Sequence, residues 1–521
     1  MERDLWKKFT DKASSAVVLA FFTLIAYAEL FVFASGGFFE TNRALCGYAF
    51  LSVLLLAAIS ALTLYFGVNL FLSIHRPDKK EKSVWCFIAE LLTLAIGAAI
   101  PFILYYARTF EAATLLVTLP YFLAGLAAAV LLLLIPLVKK NKLFAILAAV
   151  ITLCAVCGIA AASTGAESVS FEADPVVFDN GEGFSVVWCT NVTSVGYLEY
   201  SYEGRNYKIY DAEDGKYRAE KRVHTVRVPY EHLYGNTYTV SAAKVVRNSS
   251  RYSKLGDFIT SEGYTFAEKI AGDEVKMLSL TDWHEKDEKL YAVTEGKAYD
   301  VLLMMGDAIN YVNEYDDILE HIVIPGGKLT AGVKPVLFVR GNHELRGKYS
   351  DEIKSVLGME RYYFTATYGE VNFLVFDGGD TKPDGEESQG VLNVCETYRE
   401  EELAVMDALP VIETGYNVCL CHIPLFSKEL LEEEPKADGA DEQALRFAAI
   451  LEKQGVKLVV SGHEHCLDYI DGDAYDTLIA GGPTEKDGYV ACMITVKAGV
   501  ADIIAFNKEE IVKRYDLITL K

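Results

Sequence analysis

The stretch Lys457–Cys466 reads KLVVSGHEHC. An apolar run with the composition of a strand stops at a glycine, and two histidines then flank a glutamate. Residues two apart on an extended chain point the same way. His463 and His465 are therefore placed to present two imidazoles to one spot just past a strand end. Two histidines alone do not make a site, so the pattern has to recur elsewhere in the chain.

It recurs four times after Gly272, where strand-like runs alternate with helix-like runs as in an α/β layered fold. VKMLSLTDWH delivers Asp282 and His284, and YDVLLMMGDAIN delivers Asp307 and Asn310. KPVLFVRGNHE delivers Asn342, His343 and Glu344, and YNVCLCHIP delivers His422. Sites in open α/β sheets gather at the carboxyl ends of strands, so five such clusters predict one shared site. Of the nine histidines, five fall in these clusters. For the other four, His75, His224, His232 and His321, solvent or loop roles suffice.

The order D-x-H, G-D-x-x-N, G-N-H-E, a lone His and G-H-x-H resembles the calcineurin-like metallophosphoesterase superfamily, over about residues 273–508. The resemblance implies two divalent metal ions, manganese, iron or zinc. Asp282, His284 and His465 would hold one, Asn342, His422 and His463 the other, and Asp307 would bridge them. It also implies His343 as an unligated residue near the leaving group, and a phosphate mono- or diester as substrate. Mixed nitrogen and oxygen donors suit these metals better than calcium. Two ions about 3.5–4 Å apart can share a water, turn it into a hydroxide and clamp the phosphoryl oxygens. Glu344 is expected to orient a histidine, and Arg346 is a weaker candidate for substrate phosphate, with surface exposure the simpler expectation. Asn310 stands where purple acid phosphatases carry a metal-bound tyrosine, with Tyr311 one residue out of register. Those enzymes also lack a histidine where His284 stands, so neither purple colour nor an obligatory ferric ion is expected.

The first third of the chain has another character. Five apolar runs, roughly 14–35, 45–74, 84–106, 113–138 and 143–163, each reach the roughly 20 residues that cross a bilayer. Arg3, Lys7, Lys8, Lys12, Arg76, Lys79, Lys80, Lys82, Lys139, Lys140 and Lys142 fall in alternate connections, against Arg43 and Arg108 in the others. The expectation is an integral protein, of the plasma membrane, with a cytoplasmic N-terminus, an extracellular catalytic domain and the lipid bilayer as a partner. Residues 1–166 hold 13 Lys/Arg against 9 Asp/Glu, a net of +4, while the remainder holds 36 against 63, a net of −27. So acidic a domain is a poor binder of polyanions, which argues against nucleic acid. Cys189, Cys395, Cys419, Cys421, Cys466 and Cys492 lack disulfide-scaffold density and C-x-x-C spacing, so buried free thiols are expected.

Between these regions, about 168–266, lie short alternating strands such as FSVVWCT and HTVRVPY, with Asn180-Gly181 and Asp214-Gly215 as turns. VPYEHLYGNTYTVSAAKV resembles the end of a fibronectin type III or purple-acid-phosphatase N-terminal domain, with Leu233 before the turn and Tyr238 opening the next strand. A spacer role is expected. The fold class expected for the whole is multi-domain: an α-helical membrane region over 1–166, an all-β sandwich over 167–270, and an α/β four-layer metallophosphoesterase over 271–521, a β-sandwich core flanked by helices. The competing reading is a catalytically inactive phosphoesterase-like module that senses a ligand for the membrane region. The segment 378–396 is either a lid or an ordinary surface insertion.

Overall fold

Both faces of each site strand are apolar, and the two faces go to different neighbours. In Glu274–Leu280, Val275 and Met277 face one core while Leu278 and Leu280 face another. Val301–Met304 and Pro335–Phe338 split the same way, with Leu303 and Leu337 on one side, Leu302 and Val336 on the other. The period of two within a continuous apolar run marks strands buried on both sides.

The structure, a computed structural model, describes residues 168–248, 253–385, 387, 392, 394–424 and 440–520. Of these, residues 168–245 and 256–520 belong to one compact unit. Among the described residues no helix is long and apolar enough to cross a membrane. That corrects the expected fold class, because the architecture described is β-sandwich and α/β with no α-helical membrane region in it. The five stretches expected as spans, and His75 with them, lie outside the described residues.

Two sheets face each other to form the core of the larger domain. One has eleven strands, with Glu274–Leu280, Val301–Met304 and Pro335–Phe338 parallel at its centre. The other has six, with Val371–Val375, Tyr416–Leu420, Leu458–Ser461 and Asp476–Ala480 parallel in register. Between them Val301, Leu303 and Leu337 meet Phe373, Val418, Leu420 and Val460, each contributing about 1.5–3 kcal/mol by leaving water. Helices close both outer faces. Asp287–Thr294 and Ile324–Thr330 lie over the large sheet. Cys395–Asp407 and Ala440–Lys453 cover Leu374, Phe376, Cys419 and Cys421 of the smaller one. All six cysteines of the described residues are free thiols, five of them buried.

The N-terminal β domain is a two-sheet sandwich, its core formed by Phe184, Val186, Trp188 and Val226 against Leu198, Tyr200 and Val240. One of its sheets is continuous with the eleven-stranded sheet. Val176–Asp179 pairs in parallel with Pro335–Phe338, so Phe184–Cys189 and Val223–Val228 extend the eleven-stranded sheet itself. A tethered spacer would not share a hydrogen-bonded sheet with its neighbour. Buried and half-buried side chains seal the joint: the Tyr238 hydroxyl donates to the Gly332 carbonyl at 2.7 Å, and Tyr230 and Tyr368 both donate to Asp179. His224 is no solvent residue either. It is fully buried, with Nδ1 at 3.0 Å from Asp211 and Nε2 at 2.7 Å from the Ser194 hydroxyl.

Candidate metal centre

Each of the five clusters begins where a parallel strand of the two central sheets stops. Thr281–His284 follows Glu274–Leu280, Met305–Asp307 follows Val301–Met304, and Val339–Glu344 follows Pro335–Phe338. His422 follows Tyr416–Leu420, and Gly462–His465 follows Leu458–Ser461. To turn ligands inward, the backbone enters the left-handed region at Asp282 (φ 56°), His284 (44°), Asp307 (53°), His463 (72°) and His465 (50°). Such conformations cost a non-glycine residue of order 1–3 kcal/mol each and collect at functional sites. The glycine before His463 permits the close approach. A Cβ at Gly462 would lie 2.0 Å from Thr281 Oγ1 and 2.7 Å from Asp282 Oδ2.

The polar atoms converge in three overlapping groups, Asp282–His284–His465, His284–Asp307–His343 and Asp307–His422–His463. Asp307 belongs to two of them. Its Oδ2 lies 3.3 Å from His422 Nε2, 3.8 Å from His343 Nε2 and 3.9 Å from His284 Nε2. Its Oδ1 accepts from the His343 amide at 2.9 Å. Asp282 is divided in the same manner. Oδ2 is held by the Thr281 hydroxyl at 2.5 Å and the His463 amide at 2.9 Å, which leaves Oδ1 toward His465 Nε2 at 3.3 Å and His422 Nε2 at 4.0 Å. His284 and His465 bring their Nε2 atoms to 3.1 Å, and His463 Nδ1 is 3.1 Å from Asn342 Oδ1.

These residues fit divalent ions. Asp282 Oδ1 and His422 Nε2 are buried polar atoms without a hydrogen-bond partner, and both face the same space. Buried groups left unpaired in this way call for an explanation, and a cation with mixed nitrogen and oxygen ligands supplies it. His422 Nδ1 donates to the Met305 carbonyl at 2.6 Å, which leaves Nε2 as the ligating nitrogen. Electrostatics agree. Burial works to raise the Asp307 carboxyl, but His422 and then His343 pull it below the ordinary carboxylate range. Burial works to lower His422, yet Asp307 and Asp282 lift it to about 10. A metal ion would replace that proton, since ligands bind metal deprotonated.

Two expectations need correction here. Glu344 orients no histidine. Its fully buried carboxylate accepts from the backbone amides of Asp307 (2.9 Å), Gly341 (2.8 Å), Ala308 (2.7 Å) and Ile309 (3.3 Å), tying two ligand loops together. Burial and the Asp307 charge push it up to about 7. Arg346 is not on the surface. It is 6% exposed, and its Nη1 lies 2.8 Å from His343 Nε2. His343 Nδ1 donates to the Asn310 carbonyl at 3.1 Å. Asn310 thus acts through its backbone, its own amide bonded to Glu285 at 2.9 Å, a residue that carried no signal in the sequence. Tyr311 is 44% exposed.

The comparisons with known proteins bear on this geometry. Residues 275–467 match the family model of the calcineurin-like phosphoesterases. That stretch is a calcineurin-like phosphoesterase domain. It contains every residue of the three convergent groups. A search of curated proteins gave no match. Among solved structures, GAP50, the anchor in the inner membrane complex of Plasmodium, is 14% identical, covering 48% of this chain and 90% of its own, at a TM-score of 0.32. Phosphopantetheinyl hydrolase from Mycobacterium tuberculosis is 15% identical, covering 40% and 89%, at 0.30. Vacuolar protein sorting 29 from Cryptosporidium parvum is 13% identical, covering 47% and 98%, at 0.22. These similarities carry nothing about substrate.

Proposed function

We propose that the phosphoesterase domain hydrolyses phosphate mono- or diesters at a pair of divalent ions. Asp282, His284 and His465 would hold one ion and Asn342, His422 and His463 the other, with Asp307 between them. The observation that carries this reading is the position of Asp307 Oδ2, which faces imidazoles from both halves of the site at 3.3–3.9 Å. Such a pair supplies an acidified water and positive charge at the phosphoryl oxygens.

The chain's own residues do the rest. Asp282 and Asp307 each spend one oxygen on backbone or hydroxyl donors and keep the other for the site. Glu344 holds the Asp307 and Gly341 loops in register. His343 stands at the rim with its side chain 22% exposed, where it can pass a proton to a departing oxygen, a role worth about 10²–10⁴-fold. For that it needs the proton on Nε2, the nitrogen that accepts from Arg346 in this structure. Arg346 must therefore release His343 as the leaving oxygen arrives.

The test uses the full chain, stripped of metal and assayed on p-nitrophenyl phosphate and its bis-ester with manganese, iron or zinc restored. Turnover should return with metal, and Asp307→Asn should lower it by at least about 100-fold, more than loss of an outer-shell group costs. A protein that binds two ions and cleaves neither ester would instead support the inactive, ligand-sensing reading.

A further inference from the structure

Arg346 is a buried guanidinium with no carboxylate partner among the described residues. Among the described residues its Nη1 has the His343 ring as hydrogen-bond partner, at 2.8 and 3.2 Å, and its Nε is buried with no partner. Among the described residues, the largely buried Arg340 and the buried Arg399 are satisfied. Arg340 is paired with Asp377, and Arg399 donates to Gln443 and to the carbonyls of Gly378 and Asp380. The backbone of Arg346 is also held in place. Its carbonyl accepts from the Val312 amide at 2.8 Å and its amide donates to the His343 carbonyl at 3.0 Å, so the side chain folds back over His343. A buried charge without a counter-ion is strongly destabilising. Its persistence beside the metal centre indicates that the missing anion comes from outside the chain.

The chemistry of phosphate esters says which anion. A diester presents two non-bridging oxygens and one negative charge; a monoester presents three and carries up to two. Two metal ions can engage two of those oxygens. The third oxygen of a monoester, and its second charge, need a cationic donor. Arg346 meets that need, because a guanidinium forms charge-assisted, fork-like bonds to phosphoryl oxygens. We propose that Arg346 binds the third phosphoryl oxygen, so that the site takes phosphate monoester dianions in preference to diesters. This rests on the metal-centre reading above and adds the substrate class to it.

The experiment compares the full-length, metal-restored protein with Arg346→Gln and Arg346→Lys. It reads metal content, inorganic phosphate affinity by calorimetry, and kcat/KM on p-nitrophenyl phosphate and its bis-ester. With metal content unchanged, Arg346→Gln should weaken phosphate binding and monoester kcat/KM by about 10- to 100-fold, the range of one or two charge-assisted hydrogen bonds. Diester kcat/KM should fall less, so that the monoester-to-diester ratio drops by about 10-fold or more. Arg346→Lys keeps the charge without the fork and should fall between, and it serves should the glutamine variant not fold. An equal loss on both esters, no loss on either, or a loss of bound metal would each overturn the assignment. If the unsubstituted protein cleaves neither ester yet binds phosphate through Arg346, the hydrolytic reading fails while the anion site stands.

Discussion

Replacing Glu344 with alanine is expected to be among the most damaging single changes in the domain. Its two oxygens accept four backbone amides, those of Asp307 and Gly341 on one, Ala308 and Ile309 on the other. All four sit where the chain bends to deliver the candidate metal ligands. Each stranded buried donor costs about 1–3 kcal/mol, so the loss should reach roughly 4 kcal/mol or more. That is a large part of the 5–15 kcal/mol that typically holds a domain folded. Glu344→Gln keeps the shape but turns one acceptor into a donor, so it should recover only part of the loss. Urea unfolding midpoints check this. An alanine variant with the midpoint of the original protein would mean that the two loops hold without the carboxylate.

The second large effect lies behind the centre, at Arg340 and Asp377. The guanidinium meets the carboxylate at two points, Nε to Oδ1 at 3.0 Å and Nη2 to Oδ2, and the Tyr398 hydroxyl adds a third bond at 2.5 Å. Arg340 also lies over the rings of Tyr362 and Tyr398, at 4.2 and 5.3 Å. Asp377 is fully buried. Asp377→Leu therefore strands a charge, which costs about 3–5 kcal/mol, whereas removing both charges together is often near neutral. The expected outcome is a severe loss for Asp377→Leu and recovery of most of it in Arg340→Leu/Asp377→Leu, read by a double-mutant cycle. Additive single losses would show that the two charges do not depend on each other.

The strands, and the polar side chains that converge at their ends, were legible in the sequence because their signals are local. An apolar run buried on both faces and ending in Gly-Asp, Gly-Asn-His or Gly-His announces both the strand and what it delivers. What could not be read depends on contacts far apart in the chain. Glu344 is three residues from Gly341, yet three of its four amides come from the loop at 307–309. Arg346 read as a surface residue because arginines usually are; the turn His343–Leu345 and the Val312 amide fold it inward. The shared sheet was hidden for the same reason, since Val177 pairs with Pro335 and no short-range pattern encodes that register. His224 carried no mark of its buried bonds to Asp211 and Ser194.

The most direct measurement is the metal content of the full-length protein after saturation and removal of free ions, beside Asp307→Asn. Asp307 Oδ2 lies between the two halves of the site, so about two ions per chain are expected in the protein as it stands. In the Asp307→Asn variant the stoichiometry should fall to about one or fewer. A single ion, or none, in the unsubstituted protein would contradict a paired centre.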